Sequence, residues 1–481
     1  MLLSDLVPDE VAAPASASAI TITGLTADSR TVQPGDLFAA LAGSRTDGAR
    51  FVAGALAKGA AAVLAGEGAV IDAPPHVPVL RACEPRRALA LMAARFYPHQ
   101  PEHMLAVTGT SGKTSVVDFT RQILVMLGRR AASVGTIGLV RSDGTVYGSL
   151  TTPDPVTLHE TLDGLAREGT THVAFEASSH GLDQHRLDGV RIAAAAYTNL
   201  GRDHLDYHPS LDAYLAAKLR LFTELLPAKG TAVVNADGAE AVRVIDGVRR
   251  RGIRLVTTGI GGETLQLAEL ARDGFAQRVT IRADGRDVAL RFPLLGSYQV
   301  ENALVAAGLA LACREPMDDV LGTLEKLHGV AGRLEIVAEH KGGLAVVDYA
   351  HKPEALSAAL DALRPFATGK LICIIGCGGD RDRGKRPIMG RIAVDRADVV
   401  IVTDDNPRSE DPAMIRAEVL RGAAGAREIG DRGEAIAAGV AMLGPGDVLL
   451  VAGKGHETGQ IVGNATLPFS DHDEIRKRTH G

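Results

Sequence analysis

A glycine-rich segment in the first third of the chain has the composition of a phosphate-binding loop. It follows a short apolar run, residues 104–107, and precedes apolar residues at helical spacing. In that setting backbone N–H groups and a helix N-terminus hold phosphate oxygens, while a lysine reaches the β- and γ-phosphates and a threonine hydroxyl binds Mg²⁺. The segment consists of Gly109, Thr110, Ser111, Gly112, Lys113, Thr114 and Ser115. Because Val107 stands where the strict motif has its first glycine, we interpret the segment as a shortened nucleotide triphosphate-binding loop.

Groups suited to metal binding follow in the next hundred residues. Glu176 comes after the apolar run 171–175, so we expect its carboxylate at the carboxyl end of a strand, where it can complete a Mg²⁺ shell. The spacing His204-x-Asp206-x-His208 fits a di-metal hydrolase or a polar loop with solvated histidines. The residues alone do not decide between these two interpretations.

Lys218 falls on or beside an apolar stripe at helical spacing. Such a lysine either extends its amine to solvent or is chemically changed. Burial lowers the pKa of an amine, and a neutral amine can add CO₂ to become a carbamate, which is an anionic oxygen ligand for Mg²⁺. The pattern by itself favours the solvent-reaching lysine.

Four polar clusters in the last third each follow an apolar run. They occupy residues 349–354, 376–386, 404–408 and 452–457. Because the carboxyl ends of parallel strands share one edge of a sheet, the clusters together indicate a substrate crevice. Arg381 and Arg408 are suited to bidentate binding of carboxylates, and Glu457 to an ammonium group.

The elements that must position these motifs alternate between strand and helix patterns, which predicts an α/β protein with mostly parallel sheets. The segment 277–293 predicts an antiparallel hairpin around 283–285, and 299–313 predicts a helix. The predicted strands are 104–107, 171–175, 193–197, 231–234, 254–257, 344–348, 370–375, 399–403 and 447–451.

Length and composition limit the class of protein. A chain of 481 residues favours about three domains, and breaks near 97–103 and 328–333 place them at 1–100, 101–328 and 329–481. With 46% hydrophobic and 23% charged residues the chain is globular rather than disordered. The net charge of −6 provides no global field for nucleic acid. Four scattered cysteines and the lack of a leader or a long apolar run predict a soluble cytoplasmic protein without disulfides.

In this order, these motifs resemble the Mur ligase family over essentially the whole chain. The resemblance implies an N-terminal α/β domain that binds the uridine nucleotide, a central P-loop-type ATPase domain with a parallel sheet, and a C-terminal Rossmann-like domain that binds the amino acid. It implies an ATP-dependent amide ligase of peptidoglycan precursor synthesis that works through an acyl phosphate. The implied substrates are ATP, UDP-N-acetylmuramoyl-L-alanyl-D-glutamate and meso-2,6-diaminopimelate, with two Mg²⁺ ions. We expect a monomer with no nucleic-acid or membrane partner.

The resemblance also assigns site residues. The catalytic residues are Lys113, Glu176, His204 and Lys218. The magnesium ligands are Thr114, Glu176, His204 and Lys218, with Lys218 now favoured as the carbamate, N6-carboxylysine. ATP contacts outside the loop are Asn302, Arg333, Asp348 and His351. The UDP-muramoyl dipeptide is held by Ser29, Ser44, Arg45, Thr46, Thr151, Thr152, Ser178, Gln184 and Arg186. Diaminopimelate is held by Arg381, Asp405, Asn406, Pro407, Arg408, Gly453 and Glu457.

Other functions fit parts of the pattern. Within the superfamily, a lysine-adding relative or a folylpolyglutamate synthase would use a different acceptor substrate. Arg408 separates these from a diaminopimelate ligase, because it is suited to the second carboxylate of diaminopimelate. A P-loop NTPase acting as a kinase or switch would use ATP without any amino acid, and a nucleotide-sugar binding module would not catalyse. The segment 349–354 departs from the family pattern at Lys352 and Glu354, which affects the expected local ATP or hinge contacts but not the reaction class.

Overall fold

The protein is described here by a computed structural model that covers residues 1–14, 17, 19–43, 46–147, 151–204 and 207–479. The chain divides into two compact units. The first comprises Met1–Glu263 with Val305–Val320, and the second comprises Thr264–Leu304 with Leu321–Gly481. The three domain boundaries drawn from the sequence stay a prediction.

The first unit begins with a four-stranded parallel sheet in the order β1-β2-β3-β4. Alternate residues of its strands face opposite layers: Leu37 and Leu64 pack with Met92, whereas Phe38 packs with Val52. The elements are α1 (Leu3–Leu6), β1 (Gly24–Thr26), β2 (Asp36–Ala40), α2 (Val52–Ala57), β3 (Ala62–Gly66), β4 (Val79–Ala82) and α3 (Pro85–Phe96).

A second sheet follows in the same unit. Its elements are β5 (His103–Thr108), α4 (Lys113–Met126), β6 (Ala131–Gly135), β7 (Gly138–Val140), β8 (Val146–Tyr147), α5 (Pro155–Arg167), β9 (His172–Glu176), α6 (Ser179–Asp183), β10 (Ile192–Tyr197), α7 (Leu211–Arg220), β11 (Thr231–Asn235), α8 (Ala241–Arg250) and β12 (Arg254–Gly259). The strands run in the order β12-β11-β10-β5-β9-β6-β7-β8, with β7 and β8 antiparallel to their neighbours.

Burial explains why the central strands of this sheet are continuous apolar runs. Every residue of β9 and β11 is buried, and β5 is buried from its second residue onward. A parallel strand covered on both faces needs apolar side chains at every position. The five strands predicted in this region are therefore confirmed.

The second unit combines an antiparallel meander with a mostly parallel sheet. The meander β13-β14-β15 confirms the predicted hairpin, and the sheet runs in the order β16-β17-β21-β18-β19-β20 with only β16 antiparallel. The elements are β13 (Leu265–Asp273), β14 (Ala276–Ala283), β15 (Arg286–Phe292), α9 (Ser297–Ala312), α10 (Met317–Thr323), β16 (Glu335–His340), β17 (Gly343–Asp348), α11 (Pro353–Leu363), β18 (Leu371–Ile375), α12 (Lys385–Arg396), β19 (Val399–Val402), α13 (Pro412–Leu420), β20 (Arg427–Glu428), α14 (Arg432–Ala441), β21 (Val448–Ala452), β22 (Gly459–Val462), β23 (Ala465–Pro468) and α15 (Asp471–Thr479).

Helices α9 and α10 are each divided between the two units, because residues 305–320 belong to the first. The predicted helix 299–313 is confirmed as α9, and the four strands predicted in the last third are confirmed as β17, β18, β19 and β21. None of the helices in the described ranges is both long and apolar enough to cross a bilayer.

Candidate active site

The glycine-rich loop joins β5 to the N-terminus of α4, as predicted. Gly109 has φ of +150° and Gly112 has φ of +87°. A Cβ on Gly109 would overlap Thr198 Oγ1, so this position requires glycine. Lys113 Nζ donates to the carbonyl oxygens of Gly109 and Thr110, both at 2.9 Å. The loop therefore presents a lysine and a helix N-terminus at one place, an arrangement that suits an anion.

Glu176 and Thr114 meet beside this loop. β5 and β9 are neighbours in the sheet, so the carboxyl end of β9 brings Glu176 next to the start of α4. Glu176 is 2% exposed. Its Oε1 accepts hydrogen bonds from Thr114 Oγ1 at 2.9 Å and from the N–H of Thr136 at 2.7 Å. Two of the four predicted magnesium ligands are thus in contact, and Thr136 is a neighbour that sequence reasoning missed.

Lys218 is inside the protein. The residue is 1% exposed, so the solvent-reaching interpretation of this lysine is wrong. Its Nζ donates to the carbonyl oxygen of Gly109 at 2.8 Å and lies 4.2 Å from the ring centre of Tyr214. Burial, and then the charge of Lys113, lower the pKa of the Lys218 amine well below its usual value. The amine is therefore suited to its neutral form, which is the form that reacts with CO₂.

His204, the fourth predicted metal ligand, lies among aromatic rings in the first unit. Its Nε2 is 3.5 Å from Asp203 Oδ2, and its ring packs edge-on against His180 with centres 4.8 Å apart. The ring of Tyr214 is 6.1 Å away and also contacts Lys218. Asp206, the middle residue of the His-x-Asp-x-His spacing, lies outside the described residues.

The residues predicted to hold the muramoyl peptide form one hydrogen-bonded group next to Glu176. Thr152 Oγ1 donates to the Glu176 carbonyl oxygen at 2.9 Å and accepts from the N–H of Ser178 at 3.2 Å. Arg186 donates to the Thr152 carbonyl oxygen at 2.7 Å and to Gln184 Oε1 at 2.8 Å. Thr151 Oγ1 shares a 3.1 Å hydrogen bond with Thr136 Oγ1. The structure thus brings together Thr151, Thr152, Ser178, Gln184 and Arg186.

The loop 198–199, for which sequence reasoning gave no role, supports the glycine-rich loop. Asn199 Oδ1 accepts from the N–H of Ser111 at 3.0 Å, and Thr198 Oγ1 donates to the Ser111 carbonyl oxygen at 2.6 Å. β10, which precedes these residues, lies beside β5 in the sheet. The sequence alone could not assign this role to Thr198 and Asn199, because it depends on β10 lying beside β5.

The predicted uridine site is described in part. Ser44 and Arg45 lie outside the described residues. The Ser29 carbonyl oxygen accepts from Lys58 Nζ at 2.8 Å, and the Thr46 carbonyl oxygen accepts from the N–H of Gly43 at 3.0 Å.

A cavity of about 600 Å³ is lined by residues that include Thr26, Asp28, Tyr97 and Thr157. Neither Ser29 nor Thr46 belongs to its lining. Hydrogen bonds from Arg30 lower the pKa of Asp28 to about 2. The cavity therefore carries a negative charge at its wall, and it does not coincide with the predicted uridine contacts.

The predicted ATP contacts of the second unit are linked through backbone and amide groups. Asn302 Nδ2 donates to Gln299 Oε1 at 3.0 Å, and Gln299 Nε2 donates to the Arg333 carbonyl oxygen at 3.2 Å. The carboxylate of Asp348 accepts backbone N–H groups of residues 334 and 350 at 2.7 and 2.8 Å, while burial raises its pKa. His351 Nδ1 lies 2.8 Å from the Tyr349 carbonyl oxygen, and burial lowers the pKa of its ring.

Most of the predicted diaminopimelate residues lie at the carboxyl ends of β19 and β21. Asn406 Nδ2 donates to Glu457 Oε2 at 2.9 Å. Gly453 has φ of +120°, and a Cβ there would lie 2.8 Å from Asp405 Oδ2, so only glycine fits. Lys454 Nζ donates to Asn406 Oδ1 and Glu457 Oε2, both at 3.1 Å. Lys454 is 0% exposed, and sequence reasoning gave it no role.

The two arginines predicted to bind carboxylates differ in their settings. Arg408 has φ of +52°, and its Nη1 donates to the Gly379 carbonyl oxygen at 2.9 Å. Arg381 is exposed and donates to the carbonyl oxygen of Asp380 at 3.2 Å. The residue between Asn406 and Arg408 is Pro407, whose carbonyl oxygen accepts from the N–H of Glu410 at 3.1 Å. The loop 405–408 is therefore held by hydrogen bonds to Gly379 and Glu410, whereas Arg381 is at the surface.

Comparison with known proteins places this geometry in a family. The model of the Mur ligase family catalytic domain matches residues 21–97, that of the Mur ligase middle domain matches 107–310, and that of the Mur ligase glutamate ligase domain matches 332–455. These segments contain the described residues of the predicted sites, apart from Glu457.

Individual proteins match over nearly the full chain. The UDP-N-acetylmuramoyl-L-alanyl-D-glutamate–2,6-diaminopimelate ligase of Bradyrhizobium diazoefficiens is 56% identical, over 99% of this chain and 98% of that protein. A solved structure of a ligase of the same name is 33% identical, with a TM-score of 0.71 and 95% of each chain covered. The MurF ligase of Thermotoga maritima in complex with ADP shares the fold, with 18% identity, a TM-score of 0.61, and 96% of this chain and 97% of that chain covered. With these matches, the chain belongs to the Mur ligase family.

Proposed function

We propose that this protein is an ATP-dependent ligase that joins meso-2,6-diaminopimelate to the D-glutamyl γ-carboxylate of UDP-N-acetylmuramoyl-L-alanyl-D-glutamate. The observation that carries the proposal is the 56% identity, over 99% of the chain, to a protein named for that reaction. A plain NTPase or a binding module would need neither the acceptor residues at 405–408 nor the network around Thr152. The product is a precursor of peptidoglycan.

The glycine-rich loop would bind the phosphates of ATP. The Lys113 ammonium now donates to the carbonyl oxygens of Gly109 and Thr110. Phosphate oxygens carry full charge and accept stronger hydrogen bonds, so we expect Nζ to turn toward them when the nucleotide binds. The Thermotoga MurF ligase has the same fold and was solved in complex with ADP, which supports the proposal that this fold binds a nucleotide.

The oxygen atoms beside this loop fit magnesium. Mg²⁺ prefers oxygen ligands, and a carboxylate beside a hydroxyl group would supply two of them. Thr114 Oγ1 donates to Glu176 Oε1 at 2.9 Å, so the two oxygen atoms that would hold the ion already lie side by side. Mg²⁺, when bound, offsets the charge on the phosphoryl oxygens. His204 and Lys218 complete the set of residues that we propose to hold up to two such ions.

Lys218 would serve this site as a carbamate. The neutral amine nitrogen attacks CO₂ and loses one proton, giving an N-carboxylate with one negative charge. Because Lys218 and Lys113 both donate to the Gly109 carbonyl oxygen, two ammonium groups there repel each other. The carbamate replaces that repulsion with attraction and supplies oxygen ligands.

The reaction needs no covalent bond to the protein. The γ-carboxylate of the dipeptide attacks the γ-phosphorus of ATP, ADP leaves, and an acyl phosphate forms. The amine of diaminopimelate then attacks the acyl carbon, and the tetrahedral intermediate expels phosphate while the nitrogen loses a proton. Lys113 would stabilise charge on the transferred phosphoryl group, and Arg186 with Thr152 would orient the dipeptide.

The acceptor site would select for a second carboxylate. Diaminopimelate carries a carboxylate that lysine lacks, and burying that charge requires a cationic partner. We propose that Arg408 is this partner and that Arg381 assists it, while Glu457 and Asn406 hold the amino-acid end. Lys454 contacts both Asn406 and Glu457 and would keep them in place.

We further propose three domains, at 1–100, 101–328 and 329–481. The family models that match residues 21–97, 107–310 and 332–455 support these boundaries. We also propose that the protein acts in the cytoplasm as a monomer on small-molecule substrates, without nucleic-acid or membrane partners.

The test is phosphate release from ATP and Mg²⁺ with the UDP-muramoyl dipeptide, adding meso-diaminopimelate or L-lysine in turn. We expect fast release when diaminopimelate is the added amino acid and only a low rate with L-lysine. We expect Lys113→Ala to abolish the release and Lys229→Ala, at an exposed lysine, to leave it unchanged. Release with L-lysine as fast as with diaminopimelate would overturn the proposed acceptor, and release without any amino acid would overturn the ligase reaction.

A further inference from the structure

Three side chains with metal-binding atoms meet at the far end of the first unit's central strands. His103 begins β5, His172 begins β9, and Cys313 follows the last residue of α9. One ligand atom from each of the three lies within 4.8 Å of the others. The Mur ligase reaction proposed above uses none of these residues.

The sheet register brings the two histidines together. β5 and β9 are parallel neighbours, and His103 is the partner of His172 in the register, so both side chains leave the same face. Their rings stack with centres 4.3 Å apart and planes at 22°. The two histidines are thus placed side by side by the sheet, and Cys313 approaches them from the end of α9.

The chemistry of the three atoms selects the class of cation. Two imidazole nitrogens and one thiol sulfur are borderline and soft ligands, which suit zinc and not magnesium. Tetrahedral zinc places its nitrogen and sulfur ligands roughly 3.3–3.8 Å apart, so side-chain shifts of about one ångström would close the site. His172 Nδ1 is already engaged with Thr171 Oγ1 at 2.8 Å, which orients the ring and leaves Nε2 for a metal.

The surroundings favour neutral imidazole at this place. Burial, and then the charge of His103, lower the pKa of His172 to about 4, so its lone pair is available at neutral pH. Glu315 and Arg129 form an ion pair beside the cluster, with Arg129 Nε 2.7 Å from Glu315 Oε1, and Glu102 Oε1 is 3.5 Å from His103 Nε2. Burial raises the pKa of the Cys313 thiol to about 12, so metal binding would have to displace its proton.

We propose that His103, His172 and Cys313 form a binding site for one Zn²⁺ ion. The fourth position of the tetrahedron is left for water. The cluster lies at the amino ends of β5 and β9, whereas the glycine-rich loop and Glu176 lie at their carboxyl ends, a strand length of about 13 Å away. The ion would therefore tie the end of α9 to the sheet and stabilise the first unit, without contacting the reacting groups.

The test is zinc binding to the full-length protein after its metals are removed with a chelator. Zinc is titrated against a competing indicator dye, with Mg²⁺ in excess to occupy the oxygen ligands beside Glu176. We expect one Zn²⁺ per chain, and about 100-fold weaker binding in Cys313→Ser and His172→Gln. Cys83→Ser, which removes an exposed cysteine, is the matched control and should bind as the wild type does.

A spectroscopic measurement separates this site from adventitious binding. Co²⁺ in place of Zn²⁺ should give a thiolate-to-cobalt charge-transfer band that Cys313→Ser abolishes and Cys83→Ser retains. His103→Gln, at a partly exposed residue that is less prone to unfold the protein, should weaken binding without loss of the folded state. Wild-type binding in the Cys313 and His172 variants, no binding by the wild type, or binding of Cu⁺ without Zn²⁺ would each overturn the proposal.

Discussion

At the scale of single residues, the amine of Lys218 faces the same carbonyl oxygen as Lys113, in the interior of the first unit. Among the described residues, the hydrogen bond of this amine goes to a neutral carbonyl group, which does not offset the cost of burying an ammonium charge. The pKa of the amine is lowered accordingly. The carbamate resolves this conflict, and it makes the side chain part of the proposed magnesium site.

We therefore expect Lys218→Met to lower kcat by about 100-fold, because the replacement keeps the apolar stem but supplies no oxygen ligand. Steady-state phosphate release measures this, with Lys229→Ala as the control. Short carboxylic acids should restore part of the activity of the variant, and ¹³C-labelled bicarbonate should give a carbamate NMR signal that the variant lacks. Full activity in Lys218→Met would contradict the assignment.

Arg408 allows a test of acceptor choice. Arg408→Met should lower kcat/KM for meso-diaminopimelate by about 100-fold, since the second carboxylate would lose its cationic partner. The low activity with L-lysine should stay the same, because lysine has no carboxylate there. The ratio of the two kcat/KM values is the readout. An equal fall for both amino acids would show that Arg408 only maintains the loop, through its hydrogen bond to Gly379.

Residue types alone could identify the groups that do chemistry but not those that hold them. Lys113, Glu176 and Arg408 were found because their types are suited to phosphate, magnesium and carboxylate. Thr136 and Lys454 were missed, because a threonine after β6 and a lysine between two glycines in the cluster 452–457 do not match a motif of known chemistry. Their roles depend on contacts with Glu176 and Glu457 that only the fold creates.

At the scale of elements, the join between β5 and α4 depends on Gly109. We expect Gly109→Ala to abolish ATP binding, because the new Cβ would overlap Thr198 Oγ1 and lie 3.2 Å from the N–H nitrogen of Asn199, at a φ of +150°. Isothermal titration with a nucleotide measures this. Undiminished binding would mean that the loop can relax.

A matched glycine gives the opposite expectation. Gly164 lies inside α5, where a Cβ added to the backbone would have no neighbouring atom within 4 Å among the described residues outside its own helix turn. Gly164→Ala should therefore leave nucleotide binding unchanged and raise the free energy of unfolding by about 0.5–1 kcal/mol. If both substitutions reduce binding, the effect is not specific to the loop.

Prediction of elements succeeded for several strands that are buried at every residue, although β2 and β6 are buried to the same degree and were not predicted. β9, β18 and β21 are buried at every residue, so each is a short apolar run between polar loops. The short strand β1 and the edge strand β16, which is only half-buried, were not predicted, because their side chains are mixed in type. The sequence pattern also did not predict the order of the strands. For that reason it did not predict the contact between the loops after β5 and β10.

At the scale of the whole molecule, the net charge means that a few basic residues must provide the attraction for anionic substrates. The chain has a net charge of −6, while ATP and the UDP-linked dipeptide are both polyanions. The net charge therefore opposes their approach, and local cations must supply the electrostatic attraction. Lys113 is the cation at the glycine-rich loop. Its removal should therefore reduce the amount by which a bound nucleotide raises the free energy of unfolding.

Binding to the folded state alone raises the free energy of unfolding by RT ln(1 + [L]/Kd), about 2.7 kcal/mol at 100 times Kd. We expect MgATP at that ratio to raise the unfolding temperature of the wild type, and the same ATP concentration to leave Lys113→Ala nearly unchanged. Because the chain has no Trp, calorimetry rather than tryptophan fluorescence is the measurement. Lys229→Ala should shift as the wild type does. An equal shift in Lys113→Ala would mean that ATP binds away from the glycine-rich loop or without need of its lysine, and the mechanism built on that loop would have to be abandoned.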